Sequence, residues 1–220
     1  MNLNKQTLSE QIYHILREDI LSQKIPCHAR LTLKMLQERF GVSSTPIREA
    51  LTRLINEKLI SYYSNVGVSV VGLTEDDLRE IYQFIGDLDS LAIRYASGHP
   101  EQERLVAQLA DNLAHTEICA PTSREWKTCS DEFHLIFYQY SKNSRLIHSA
   151  EQIRSQLSIA AYQYENIPET QKNILREHRQ IFDDYRFGDC EKAMADMQLH
   201  LSHSLQYALA WLRERTPAEG

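Results

Sequence analysis

The stretch Leu33-Lys34-Met35-Leu36-Gln37-Glu38-Arg39-Phe40-Gly41-Val42-Ser43-Ser44-Thr45-Pro46-Ile47-Arg48-Glu49-Ala50-Leu51 decides how the chain begins to fold. Leu33, Leu36 and Phe40 fall on one face of a short helix that Thr32 can cap. Gly41 follows at the C′ position, where a left-handed backbone favours glycine. Ser43-Ser44-Thr45-Pro46 opens a second helix, with Thr45 as N-cap and Pro46 at N1, where a missing N–H has no consequence. Ile47, Leu51, Leu54 and Ile55 give that helix its apolar face. Two short helices joined by a tight Gly-Val-Ser-Ser turn predict a helix-turn-helix.

The flanking sequence extends this unit in both directions. Ile12, Tyr13, Leu16 and Ile20 recur at helical spacing and predict a helix over about 6–23, which Ile25-Pro26 stops. Downstream, Leu59–Ser64 and Val68–Val71 are short β-prone runs around Asn65-Val66-Gly67, the pattern of a small hairpin or wing. Nothing else in the chain reads as a strand. From Thr74, which forms an approximate capping box with Asp77, the pattern is helical throughout. The first of these helices runs to about Gly98, and His99-Pro100 breaks it. Others fit about 101–119, 123–142, 145–165, 170–187 and 189–213, punctuated by Pro121, Asn143, Pro168 and Gly188. The expected fold is mainly α: a winged helix-turn-helix over residues 6–72, then an all-helical bundle of about six helices over 74–213.

Composition agrees with a soluble globular chain: of 220 residues, 42% are hydrophobic and 25% charged. Only 7 Gly and 6 Pro argue against a turn-rich all-β fold. No apolar run approaches the ~18 residues of a membrane span, and Met1–Leu8 lacks the pattern of a signal peptide. The four cysteines, Cys27, Cys119, Cys129 and Cys190, are scattered and form no C-x-x-C, as free thiols of a reducing compartment would be. A cytoplasmic protein without a membrane partner is expected. The net charge of −6 is unevenly spread. Residues 1–74 hold nine of the 24 Lys/Arg and six of the 30 Asp/Glu, so +3, leaving 15 basic and 24 acidic groups, so −9, for the rest. A mildly basic head on an acidic body suits a polyanionic partner.

Chemistry-bearing residues concentrate at two places. The N-terminus of the second helix offers the hydroxyls of Ser43, Ser44 and Thr45 together with unpaired backbone N–H groups, and its dipole favours phosphate. Arg48 lies one turn in. Farther along, three of the histidines sit on apolar helix faces. His134 lies among Trp126, Ser130, Phe133 and Phe137; His178 among Ile174, Leu175, Ile181, Phe182 and Tyr185; and His200 beside Met197, Leu201 and Leu205. Three inward imidazoles on three helices can satisfy one another through a metal, or each can bond separately to backbone or carboxylate. His14, His28, His99, His115 and His148 show no partner pattern.

The G-V-S-S-T-P-I-R-E-A-L run over residues 41–51 resembles the helix-turn-helix of GntR-type transcription regulators. The helical body looks like the FCD effector domain of the FadR-type subgroup, with Phe133-His134, Ser141-x-Asn143 with Leu146, Glu177-His178 and His200 in that family's order. The resemblance spans about residues 6–213. It implies a DNA-binding regulator, a repressor, working as a homodimer on a double-stranded operator. Lys34, Thr45 and Arg48 match its backbone-contacting positions, Ser43 and Ser44 its groove-reading positions, and Gly67 its wing tip. Serine replaces the family's usual arginine at Ser44 and cannot make its bidentate contact to guanine. No Lys or Arg lies between Ser61 and Gly72, so the wing should hold the minor groove weakly.

The resemblance also implies a divalent metal, zinc or nickel, on His134, His178 and His200. The family's carboxylate ligand stands four residues before the first histidine, where this chain has Ser130. Asp131, displaced by one residue, is the nearest candidate for a fourth ligand or for a group standing behind the ligands; otherwise water or a carboxylate from the effector completes the site. An arginine that grips an effector carboxylate in many members is absent here, Ile85 standing in that region, and Arg154 is expected to replace it for a small organic-acid effector. Two other readings stay open. A hydrolytic zinc enzyme could use the same histidines with Glu132 or Glu177, although each glutamate is one step off the metal face. Alternatively, a metal-free regulator would use the histidines only to line its pocket.

Overall fold

The computed structural model describes residues 6–63 and 67–215. They form two compact units that divide after Thr74. Among the described residues there are nine helices and three short strands, in agreement with a mainly α fold of a winged helix-turn-helix and an all-helical bundle.

In the first unit, α1 (Leu8–Leu21) starts at a capping box in which Thr7 and Glu10 bond each other's backbone. It buries Ile12, Tyr13, Leu16 and Ile20. After it come β1 (Arg30–Leu31), α2 (Leu33–Phe40) and α3 (Ser44–Asn56). The Thr32 hydroxyl caps α2 by accepting from the Met35 N–H, and Gly41 closes it in the left-handed region at φ +66°. The start of α3 differs from expectation by two residues. Ser43, not Thr45, is the N-cap, and Pro46 stands at N3. The substitution of positions works because the first four N–H groups of a helix have no intrahelical partner, so proline fits there too. It also removes the N3 donor that a capping hydroxyl ordinarily takes, and Ser43 makes no side-chain cap bond. Leu16, Ile20, Leu36, Ile47, Leu54, Leu59, Ile60 and Val70 are fully buried and form the core of this unit.

The wing is β2 (Ile60–Tyr63) and β3 (Gly67–Val70), antiparallel with Ser61 opposite Ser69. The rest of its turn, Ser64 to Val66, lies outside the described residues. One strand was not expected: β1 pairs with the far edge of β3, with Arg30 opposite Ser69 and Leu31 opposite Val68, giving a sheet of order β1-β3-β2. Two residues are too few for a period-2 pattern, so pairing rather than sequence makes this a strand.

The second unit comprises α4 (Glu75–Ser97), α5 (Gln102–Ile118), α6 (Arg124–Tyr140), α7 (Ser144–Tyr164), α8 (Pro168–Arg186) and α9 (Cys190–Arg215). Ser123 caps α6 and Asn143 caps α7 through their side chains, and Pro168 occupies the first turn of α8. Helix α4 packs on α6, α7 and α9, while α9 also packs on α7 and α8. These contacts gather the inward faces of α4, α6, α8 and α9 around one interior. No described helix is long and apolar enough to cross a membrane.

Candidate nucleic-acid interface and metal centre

At the head, Lys34, Ser43, Thr45 and Arg48 are exposed, Ser44 and Gly67 half-buried. Several other cations of this unit are engaged internally. Arg17 pairs with Glu57 at 3.3 Å, Arg39 with Asp19, and Arg53 lies over the Tyr13 ring at 3.9 Å. Among the described residues, Lys34 and Arg48 meet no carboxylate and remain available to an external anion. Arg48 lines a cleft of about 390 Å³ with Thr32, Thr52, Tyr62, Gly67 and Arg30. The guanidinium of Arg30 stands beside Gly67, 3.9 Å from where a β-carbon there would sit. The wing's missing cation is therefore supplied by β1. Arg30 escaped the sequence reading because the pairing of β1 with β3 is what carries it to the wing.

In the helical unit, His134 on α6, His178 on α8 and His200 on α9 come together. One ligand nitrogen from each lies within 4.8 Å of the other two, and all three residues are buried. The ring centroids are 4.7–5.3 Å apart. Phe133 stacks on His178 at 4.3 Å and 12°, which fixes the plane of that imidazole.

Carboxylates set the direction of two of these rings. His134 Nδ1 lies 2.8 Å from Asp89 Oδ2, and His200 Nδ1 lies 2.8 Å from Glu177 Oε2. Burial alone would raise the Asp89 carboxyl, but Arg154, then His134 and Tyr138, hold it well below the usual carboxylate range. Glu177 is held low against its own burial by its bonds to His200 and His203. Ionised carboxylates only accept, so each Nδ1 is the donor, and it is Nε2 that carries the lone pair of the neutral ring. Burial, followed by Arg154, lowers His134 to about 4. Burial, followed by His200 and His134, takes His178 well below the ordinary histidine value. Neutral imidazole is the form that binds metal.

His178 Nε2 and His200 Nε2 stand 3.3 Å apart. Two nitrogens sharing a tetrahedral zinc at ~2.0–2.1 Å would be ~3.3–3.4 Å apart, so this pair fits a metal of that size, with the His134 nitrogen within 4.8 Å of both. Three nitrogen donors leave a further position open. The carboxylate–imidazole pairs supply the outer shell that orients such ligands.

The geometry bears on two expectations. Asp131 is exposed and does not join the histidine cluster. The carboxylate at His134 is Asp89, from α4, and it meets Nδ1 rather than completing the ligand set. Arg154, expected to await an effector anion, already forks onto Asp89 at 2.8 and 2.6 Å. Its Nε–H is nevertheless buried without a partner. Glu177 is indeed off the face of its neighbour His178, yet it reaches across to α9, where it holds both His200 and His203, the latter at 2.7 Å. His203 went unassigned in the sequence reading. A signal for Asp89 was present: it lies four residues after Ile85 and four before Ile93, an acid on the buried stripe of α4.

A winged helix-turn-helix head and a helical unit with a buried, ligand-ready cluster define a DNA-binding regulator with its own sensing domain. Residues 8–70 match the model for bacterial regulatory proteins of the gntR family, and residues 80–203 match the FCD domain. The chain belongs to the GntR family, in its FCD-containing branch. It is 28% identical to the HTH-type transcriptional regulator YdhC of Bacillus subtilis over 210 residues, 93% of this chain and 92% of that protein. It is 26% identical to the HTH-type transcriptional repressor RspR of Escherichia coli over 206 residues, 91% and 90% of the two chains. The solved structure of E. coli McbR/YncC shares the fold at a TM-score of 0.68 and 22% identity, covering 96% of this chain and 99% of that one. These relatives are transcription regulators, so the hydrolytic alternative falls: the protein is a regulator, not an enzyme.

Proposed function

We propose that the chain is a cytoplasmic, homodimeric repressor whose residues 6–72 hold operator DNA and whose residues 74–213 sense a small organic acid at a metal centre. Lys34, Thr45 and Arg48 hold the phosphate backbone, Ser43 and Ser44 face base edges from the N-terminus of α3, and Gly67 with Arg30 approaches the minor groove. Without the bidentate arginine at Ser44, the preferred operator differs from that of relatives carrying it.

His134, His178 and His200 hold one divalent ion; neutral imidazoles suit zinc, with nickel the next fit. The observation that carries this reading is the pair of carboxylate bonds at Nδ1 of His134 and His200, which leave Nε2 of each ring as the donor for a metal, that of His200 standing 3.3 Å from His178 Nε2. When bound, the ion supplies an open position for a ligand carboxylate. Arg154 has its unpartnered Nε–H to offer the same ligand. A metal-free regulator is the second reading, favoured by the 3.3 Å separation of His178 and His200, which also suits one direct hydrogen bond.

Elemental analysis of the metal-loaded chain separates the two. A metal content one ion per chain lower in His178→Ala than in the parent supports the metal centre; equal content in the two, with the same melting response to added zinc, supports the metal-free pocket. For the head, Arg48→Ala should weaken binding to every duplex and reduce the salt slope by about 1. An unaltered affinity across salt concentrations would remove Arg48 from the interface.

A further inference from the structure

A second cluster of metal-ligating side chains lies at the α5–α6 corner and plays no part in the reading above. His115 and Cys119 stand four residues apart at the end of α5, and Cys129 stands on α6. One ligand atom from each lies within 4.8 Å of the others, with both cysteines buried and His115 exposed. We infer that His115, Cys119 and Cys129 form a second metal site, selective for a thiophilic ion such as Zn²⁺.

The corner is built to hold these atoms. Cys119 is the C-cap of α5, and its N–H bonds the His115 carbonyl, so the chain turns away directly behind its thiol. Ser123 caps α6, fixing where that helix begins. Asn112 donates from Nδ2 to the Cys129 carbonyl at 3.0 Å and pins the two helices at the cluster. Its own Oδ1 is buried without a partner.

The histidine is oriented as a ligand. Glu125, in the first turn of α6, meets His115 Nε2 at 3.0 Å. With Nε2–H donated to that carboxylate, the lone pair is on Nδ1, which faces Cys129 Sγ at 3.9 Å. This is the same carboxylate–imidazole arrangement that orients metal-bound histidines. Zinc distances of ~2.3 Å to sulfur and ~2.0–2.1 Å to nitrogen place the two donors ~3.6 Å apart on a tetrahedron, so little closure is needed.

Two sulfurs and one nitrogen favour thiophilic ions over magnesium or calcium, which take oxygen ligands. Binding forms two S–metal bonds and breaks two S–H bonds, the two protons leaving to solvent. The dication and two thiolates then sum to zero, so no net charge is buried. Exposed His115 gives the ion its way in, and water takes the remaining position.

Cobalt(II) tests the site on the full chain after chelator treatment and thiol reduction. The expected result is a thiolate-to-cobalt charge-transfer band, absent in Cys119→Ser and in Cys129→Ser. The histidine cluster contains no sulfur and cannot produce that band, so the two sites are read separately. A parent chain without the band in excess cobalt, or one whose band survives both substitutions, overturns the site.

A measurement on the unaltered protein guards against misfolded variants. Zinc should slow alkylation of Cys119 and Cys129 at least tenfold while leaving Cys27 and Cys190 unaffected, as read by peptide mass spectrometry. Equal rates with and without zinc, or a Cys119–Cys129 disulfide forming despite zinc, also overturn it.

Discussion

At Asp89 one buried carboxylate accepts from Arg154 twice, from Tyr138 at 2.5 Å and from His134 at 2.8 Å. Removing its charge has two separable effects. Asp89→Asn should lower metal affinity about 10–100-fold, because the partner that orients His134 is weakened. It should also destabilise the helical unit by about 3–5 kcal/mol, because Arg154 is left as an unpaired buried cation. The double variant Asp89→Asn/Arg154→Met should regain most of the stability and none of the affinity, measured by denaturant unfolding and by chelator competition. Glu165 presents the opposite case. Burial first, and the nearby Asp131 second, push its carboxyl well above the usual glutamate value. The folded state then binds a proton that the unfolded state releases above its ordinary pKa, so stability should fall as pH rises from the ordinary glutamate value toward the raised one. Glu165→Gln should flatten that fall and raise the melting temperature at the alkaline end. A steeper loss in the variant would contradict the assignment.

Among the elements, α2 and α3 depend on one backbone conformation. Gly41 takes φ +66° with nothing within 4 Å of where a β-carbon would stand. Gly41→Ala therefore meets no clash and isolates the backbone strain, about 1–2 kcal/mol for an L-residue in the left-handed region. The loss should appear in unfolding of the head and leave metal binding by the helical unit unchanged. Helix α6 shows how periodicity distributes function: His134 and Tyr138, one turn apart, both reach Asp89, while Cys129 faces α5. Asp131 lies on the same helix yet is exposed, although it stands only three residues from His134. At i and i+3 two side chains are neighbours on a helix surface, but the packing of α6 on α4 decides which of its faces meets the interior.

Over the whole molecule, the charge is divided between head and body. DNA affinity should fall with added salt even though the chain carries −6 overall, because the contacts proposed for Lys34, Arg48 and Arg30 are to nearby phosphates and the Debye length is only ~8–10 Å. A single head presents few base-reading groups, and two-fold pairing doubles them over half-sites about one helical turn apart. Sedimentation should give the mass of two chains at micromolar concentration, and two chains per operator. A monomer in both conditions would contradict the proposed homodimer.

The order of the elements was legible from the chain alone because its causes are local. Thr32, Gly41 and Asn143 stop or start helices through bonds spanning a few residues. The inward setting of His134, His178 and His200 likewise followed from apolar neighbours on the same helix. The pairings between elements were not legible. Asp89 and His134 are 45 positions apart, Arg154 and Asp89 65, and Glu177 and His200 23. No spacing within one helix reports such contacts. Arg30 reached the wing through a two-residue strand, and Cys119 and Cys129 met at a helix corner. Which nitrogen of His134 and of His200 faces the cluster depends on a carboxylate that another helix brings, and the plane of His178 on the Phe133 ring of α6, so tertiary packing alone decided how three expected histidines point.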